Sequence, residues 1–397
     1  MTAGKGGTSR DRACAVDREY LLRVLRDLVR INSINPAFSD GATNEAEIAG
    51  AVAREMERLG LDVAKREPEP GRVSVVGRLP GSGGGASLLL YAHLDTVGVE
   101  GMAEPFSAAV EGGRVYGRGA YDMKAGLAAC LAATRALRDA NVTLAGDLLI
   151  VAVSDEEAAS IGMADVLTAF TADAAIVAEP TELEICLAHK GFCWIEVETL
   201  GRAAHGSRFE EGIDANMRMG RFLGRLEELE RKLRASPAHT LVGAPSLHAA
   251  TLRGGTGAST YAARCRLEIE RRTIPGETEA EVMEEIRSIV RRLGEEDPTF
   301  RAEVRPLLTR GPFEASPDSP IVGAVREAAS AVLGHAPRIA GRPYWMDTAL
   351  LAAAGIDTVV IGHGGGGAHA AEEWVDLESA VRLAGILAGA AIAYCGR

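Results

Sequence analysis

Ser87-Leu-Leu-Leu-Tyr-Ala-His93-Leu-Asp95 is an apolar run with an abrupt polar end. The run reads as a strand, and its end carries a side chain able to bind metal. The same pattern recurs in Asp147-Leu-Leu-Ile-Val-Ala-Val153 before Glu156 and Glu157, and in Ala174-Ala-Ile-Val-Ala178 before Glu179. Thr358-Val-Val-Ile361 repeats it a short loop before His369. In open α/β sheets, ligands bind beyond the carboxyl ends of the strands. Acids and histidines recurring there point to one polar site gathered from distant segments, with Asp122 as a fifth contributor.

The elements around these runs alternate. Residues 17–31 and 44–59 have the three- and four-residue apolar spacing of amphipathic helices. Strands are expected at 73–76, 87–92, 147–153 and 174–178, and helices at 124–140 and near 163–170. This alternation predicts helices packed on a mostly parallel sheet. From Phe192 the pattern changes: 192–200 and 261–272 alternate with period two, as half-exposed strands do. Charged helices are expected at 214–234 and 277–293. Two helices on one face of an antiparallel sheet make a compact α+β unit. The division predicted is 1–190 with 307–397 as the metal-binding catalytic domain and 191–306 as an insert.

The bulk numbers fit this plan. A chain of 397 residues is long for a single core. Its net charge of −12 argues against nucleic acid or an anionic membrane surface as partner. The six cysteines are scattered without a Cys-x-x-Cys pair and read as reduced thiols. The first fourteen residues lack the apolar stretch of a signal peptide, and the apolar segment near 383–395 reads as too short to span a bilayer. The expected location is the cytoplasm.

Each candidate also has a plainer reading. His93 is able to act as a ligand oriented by the Asp95 carboxylate, or as an ordinary core histidine. Asp122, in Gly117-Arg-Gly-Ala-Tyr-Asp-Met-Lys-Ala-Gly126, reads as a ligand or as a helix N-cap. Asp155-Glu156-Glu157 offers a ligand and a proton acceptor side by side, or charge favoured by a helix dipole.

The segments 92–97, 117–126, 154–157, 178–181, 201–205, 272–278 and 368–369 resemble the M20 metallopeptidase family, in the same order along residues 17–395. That family includes acetylornithine deacetylase, succinyl-diaminopimelate desuccinylase, aminoacylase and glutamate carboxypeptidase. The resemblance implies a zinc-exopeptidase-like α/β catalytic domain with an inserted α+β dimerisation (lid) domain. It implies two divalent cations, zinc by habit, with cobalt or manganese suited to the same donors. Asp122 would bridge them, His93 and Glu179 completing one site, Glu157 and His369 the other. Each cation then keeps a position open for water, as catalytic sites do. Glu156 would act as general base and Asp95 as the partner of His93. His205 would reach the active site of a second subunit in a homodimer and steady the oxyanion. Arg272 would clamp a substrate carboxylate.

The resemblance is incomplete at Ser259, where many relatives carry asparagine near the substrate, at His363, and at Met346 before Asp347. These positions bear on the pocket, so the expected activity is stated by class. It is hydrolysis of the N-acyl amide of an N-acyl-amino acid or similar small carboxylate, with dipeptidase or carboxypeptidase action as the alternative. A non-enzymatic binding protein on the same fold is the alternative from another class. Gly362-x-Gly364-x-x-Gly367 matches a dinucleotide fingerprint on paper but lacks a following βαβ unit. No Gly-x-Ser-x-Gly elbow is present.

Overall fold

The computed structural model describes residues 14–38 and 43–396. The N-terminal stretch read for a signal segment therefore lies, up to residue 13, outside the described residues. The chain divides into two compact units, one holding residues up to 187 with 315–340 and 346–397, the other Ala188–Glu314 with Gly341–Trp345.

The strands, in chain order, are β1 (Asp62–Arg66), β2 (Ser74–Leu79), β3 (Leu88–His93), β4 (Leu148–Val153), β5 (Ala174–Val177), β6 (Ile185–His189), β7 (Gly191–Leu200), β8 (Ser246–Gly254), β9 (Arg264–Thr273), β10 (Arg301–Arg310) and β11 (Asp357–Val360). Four two- or three-residue strands, Ala109–Glu111, Arg114–Tyr116, Gly365–Gly366 and Trp374–Asp376, form a separate small sheet, and the short strands Phe313–Glu314 and Ile339–Arg342 pair with β6. The helices are α1 (Arg18–Val29), α2 (Ala46–Arg58), α3 (Ala125–Asp139), α4 (Ile161–Val166), α5 (Ala215–Arg234), α6 (Glu279–Glu296), α7 (Pro320–Leu333), α8 (Thr348–Ala353) and α9 (Leu377–Cys395).

In the large sheet of nine strands the order is β1-β2-β4-β3-β5-β11-β6, ending on the short strand Phe313–Glu314, with Ile339–Arg342 paired to β6 off this path. Its centre is parallel: β3 with β4, β3 with β5, and β11 with β5. Every residue of β3, β4 and β5 is buried. Parallel strands covered on both faces need such unbroken apolar runs, which is why these segments do not alternate. Register then aligns the exits: His93 is opposite Val153, Tyr91 opposite Val177, and Val177 opposite Val360. The residues just past those positions emerge side by side.

Helix α9 packs on α3 and α7. At 19 residues it is longer than the segment near 383–395 suggests. By length and composition alone it is the one helix among the described residues able to cross a membrane. Eleven of its residues are buried in the first unit.

The second unit has a four-stranded antiparallel sheet, β8-β9-β7-β10. Phe222 of α5, Ile286 and Ile289 of α6, and Ile195, Val197, Leu267 and Ile269 of the sheet share one core. Asp214 caps α5 by accepting from the backbone of Asn216 and Met217. Thr278 and Glu281 form a reciprocal capping box on α6, a device worth about 1 kcal/mol. A boundary at 306 would cut β10, which runs through Pro306 to Arg310. The ladder with β7 accommodates the proline through a register shift between Pro306 and Leu308, as edge strands allow.

Candidate metal centre

His93 is the last residue of β3 and is 1% exposed. Glu156 and Glu157 lie in the turn after β4, and Glu179 two residues after β5. Asp122 comes from an irregular turn, Ala120–Lys124, that precedes α3. Its backbone is extended (φ −117°, ψ 94°) and α3 begins only at Ala125. Asp122 is therefore not the N-cap of α3; that position is Lys124.

The two oxygens of Asp122 face different histidines. Oδ1 lies 3.2 Å from His93 Nε2, and Oδ2 lies 3.4 Å from His369 Nε2. His93 Nε2 is also 3.6 Å from Glu179, and His369 Nε2 is 3.1 Å from Glu157. Two donor groups result, His93–Asp122–Glu179 and Asp122–Glu157–His369, each with its ligand atoms within 4.8 Å of one another. Asp122 belongs to both. All five residues expected as ligands fall into these groups.

The electrostatics identify what the cluster is suited to hold. Four carboxyls (Asp122, Glu156, Glu157 and Glu179) crowd two imidazoles. Burial pushes Glu157 up to about 7, aided by the Asp122 charge. Burial likewise pushes Glu156 and Glu179 well above the usual carboxylate range. Burial would raise Asp122 too, but hydrogen bonds from His369 and His93 outweigh it and hold it low. Those same bonds from Asp122 and Glu157 lift His369 to about 10. Fully ionised, the four carboxyls outnumber even two protonated imidazoles, and the upward shifts of Glu156, Glu157 and Glu179 reflect the cost of that excess without a counter-ion. Two divalent cations bound by nitrogen and oxygen would balance it, and a set of three donors per ion fits zinc, cobalt or manganese.

Asp95 behaves differently from expectation. His93 Nδ1 meets the backbone oxygen of Asp95 at 2.9 Å, whereas the nearest carboxylate oxygen is 3.7 Å away. The Asp95 carboxylate instead accepts from the backbone N–H groups of Glu156 and Glu157, both at 3.1 Å, and from Asn35 at 2.8 Å. The reason is chain direction: past His93 the strand turns, and the side chain two residues on faces the acid turn rather than the imidazole. Asn35 also donates to Asp155, which is further held by Arg72 at 2.6 Å. These contacts secure Asp155 at φ +68°, a left-handed conformation that few side chains adopt unaided. The sequence reading missed Asn35 and Arg72, whose partners lie far along the chain.

Glu156 and Glu157 differ in engagement. Glu157 meets His369; the Glu156 carboxyl makes no hydrogen bond or ion pair among the described residues. Nearby, Tyr91 donates to Asp347 at 2.6 Å, and burial pushes Asp347 up to about 6. His363 is fully buried with Nε2 2.8 Å from the Tyr121 oxygen, and burial lowers it to about 4. It packs the back of the Asp122 turn. The glycines before His369 lead into a turn rather than a helix. At Gly362 a Cβ would sit 1.8 Å from the Glu179 oxygen, so the missing side chain lets this strand exit pass against the Glu179 loop.

His205, Ser259 and Arg272 belong to the second unit. His205 bridges to Thr260, and Gly206 N donates to the Ser259 oxygen at 2.7 Å, so His205 and Ser259 are neighbours. Arg272 is at the other end of the β7–β9 ladder, opposite Phe192. It lies over the Phe192 ring and pairs with Glu270 at 2.9 Å. The adjacent Arg271 is wholly buried with Glu277 and Glu285, so strand alternation leaves Arg272 as the accessible one.

Comparison with known proteins places the chain in a family. Residues 89–393 match the model of peptidase family M20/M25/M40. An acetylornithine deacetylase from Myxococcus xanthus is 31% identical over 369 residues, covering 91% of this chain and 93% of its own. An N-formyl-4-amino-5-aminomethyl-2-methylpyrimidine deformylase from Bacillus subtilis is 29% identical, covering 96% of each chain. Among solved structures, aminopeptidase PepT from Bacillus cereus superposes with a TM-score of 0.79 at 18% identity, over 96% of this chain and all of that one.

Proposed function

This chain belongs to peptidase family M20/M25/M40 and is a hydrolase of amide or peptide bonds, and from that premise we propose that it removes the acyl group from an N-acyl-amino acid or a similar small carboxylate-bearing amide. The observation that carries the proposal is the division of Asp122 between two donor groups. His93, Asp122 and Glu179 would hold one divalent cation, and Asp122, Glu157 and His369 a second; zinc is the first choice, with cobalt or manganese next. Bound there, the cations would polarise the amide carbonyl and lower the pKa of the attacking water.

The chain's own groups supply the rest. Glu156, unengaged and half-buried beside Glu157, is the group free to take the proton from water and return it to the departing nitrogen. Asp95 holds the backbone of the 156–157 turn and so sets where that carboxyl points. Arg272 would bind the substrate carboxylate, displacing Glu270; Ser259, beside His205, would meet the substrate from the second subunit. The names of the two relatives favour acyl removal: one is a deacetylase, the other a deformylase.

His205 would act from a second subunit. Two features support a homodimer. Strand β8 is an edge of the second unit's sheet, and seven of its nine residues are exposed, a row of backbone groups open to pairing. Met217, Leu252 and Phe209 of the same unit are exposed large apolar side chains. The six free thiols fit a reducing compartment such as the cytoplasm.

A screen of N-acyl amino acids and dipeptides with zinc, cobalt and manganese tests the reading. Turnover of N-acyl amino acids above dipeptides is expected. A preference for dipeptides would move the assignment to a peptidase; protein that takes up none of the three metals and turns over neither class would make it a binding protein.

A further inference from the structure

One carboxylate joins the turn that carries Asp122 to the loop that carries His369. Glu373 is 1% exposed, and each of its oxygens takes two donors. Oε2 accepts from Arg118 Nη1 at 2.6 Å and Gly119 N at 3.0 Å; Oε1 accepts from Tyr121 N at 2.8 Å and Asp122 N at 3.0 Å. Backbone N–H groups converging this way form an anion nest, and here the anion is part of the chain. Arg118 extends the join. Its Nε donates to the Gly98 oxygen at 2.8 Å and its Nη2 to the Ala370 oxygen at 3.0 Å. Gly117 N returns a bond to the Glu373 backbone oxygen at 3.1 Å.

The two halves of the metal centre need this support unequally. His93 ends β3, and Glu179 follows β5, so the sheet holds that half. His369 lies on the connection between two very short strands, Gly365–Gly366 and Trp374–Asp376. Its side chain is 55% exposed and its φ is +59°. No long element fixes it relative to Asp122.

We propose that Glu373 is a positioning residue that sets Asp122 and His369 at the spacing the second cation requires. The inference rests on the two-cation reading of the site. Four filled acceptor positions make a carboxylate hard to replace. An amide presents one NH2 group, which would face two donors and lose both bonds. Loss of this support would weaken the His369 half and leave the His93 half in place. Removing a group that orients metal ligands typically costs ~10–100-fold in metal affinity.

The test is a cobalt titration of the apo-protein, wild type against Glu373→Gln, followed by visible absorption and by bound-metal analysis. Wild type is expected to take two ions. The variant is expected to take one with unchanged affinity and the other ~10–100-fold more weakly. Arg118→Met, which keeps the three backbone donors, is expected to show a smaller loss at the same ion and carries the test if Glu373→Gln does not fold. Two ions bound as in wild type, or equal weakening of both, overturns the role of Glu373. A wild-type protein that takes only one ion overturns the two-cation reading itself, and this inference with it.

Discussion

His205 and Arg272 stand at opposite ends of one antiparallel ladder. Arg272 pairs with Phe192, whereas the end near His205 pairs Arg264 with Leu200. Eight residues of strand separate those ends, roughly 25 Å at the usual rise per residue. A small substrate held by Arg272 is out of reach of His205 from the same chain. If both residues serve one substrate, they come from two chains. His205→Ala and Glu156→Ala should each be inactive alone, and mixed dimers of the two should regain part of the wild-type rate. Verified mixed dimers with no recovered turnover would remove His205 from catalysis across subunits.

Glu156→Gln should keep both cations and the fold. Its turnover should drop by ~10²–10⁴-fold, the usual contribution of base catalysis, with KM little changed. Steady-state kinetics with parallel metal analysis reads this directly. Full activity would assign the proton to another group.

Asp95 offers a sharper test than its place beside His93 suggests. Its carboxylate binds the N–H groups of Glu156 and Glu157 rather than the His93 ring. Hydrogen bonds to a charged group are worth about 1.5–3 kcal/mol each. Asp95→Ala should therefore lower turnover and loosen the Glu157–His369 ion, sparing the ion held by His93. Selective loss of the His93 ion would show that Asp95 acts through the imidazole instead.

The second unit should be acid-sensitive through His189. This ring is fully buried, stacks on Phe313, and is lowered by burial from 6.5 to about 4. Between those values the unfolded chain binds the proton and the folded chain does not, so stability falls as pH drops from 6.5 towards 4. The loss attributable to this ring is at most about 3 kcal/mol. Denaturant unfolding at pH 7 and pH 4.5 should show it, and His189→Gln should flatten the difference. An unchanged pH dependence in that variant would mean that other groups govern acid unfolding.

Much of the site was legible because parallel strands impose order. The apolar runs before His93, Glu156 and Glu179 are β3, β4 and β5, and shared register brings their exits together. Asp95 was not legible: adjacency to His93 suggested a partner, but the turn after β3 sends its carboxylate to the acid turn. Asn35, Arg72 and Glu373 carry no local signal, because each acts on residues from 60 to more than 250 positions away. Strand β8 escaped notice because it is exposed on both faces and so shows no alternation. The domain boundary expected at 306 falls inside β10, a strand the sequence pattern did not signal, because Pro306 reads as a break although an edge position tolerates it.

The central claim is that Asp122 is shared by two cations. Anomalous diffraction at the zinc edge, from crystals of the zinc-loaded protein, measures this most directly. Two peaks are expected, one against His93, Asp122 and Glu179, the other against Asp122, Glu157 and His369. A single peak, or peaks that leave Asp122 uncoordinated, would contradict the account.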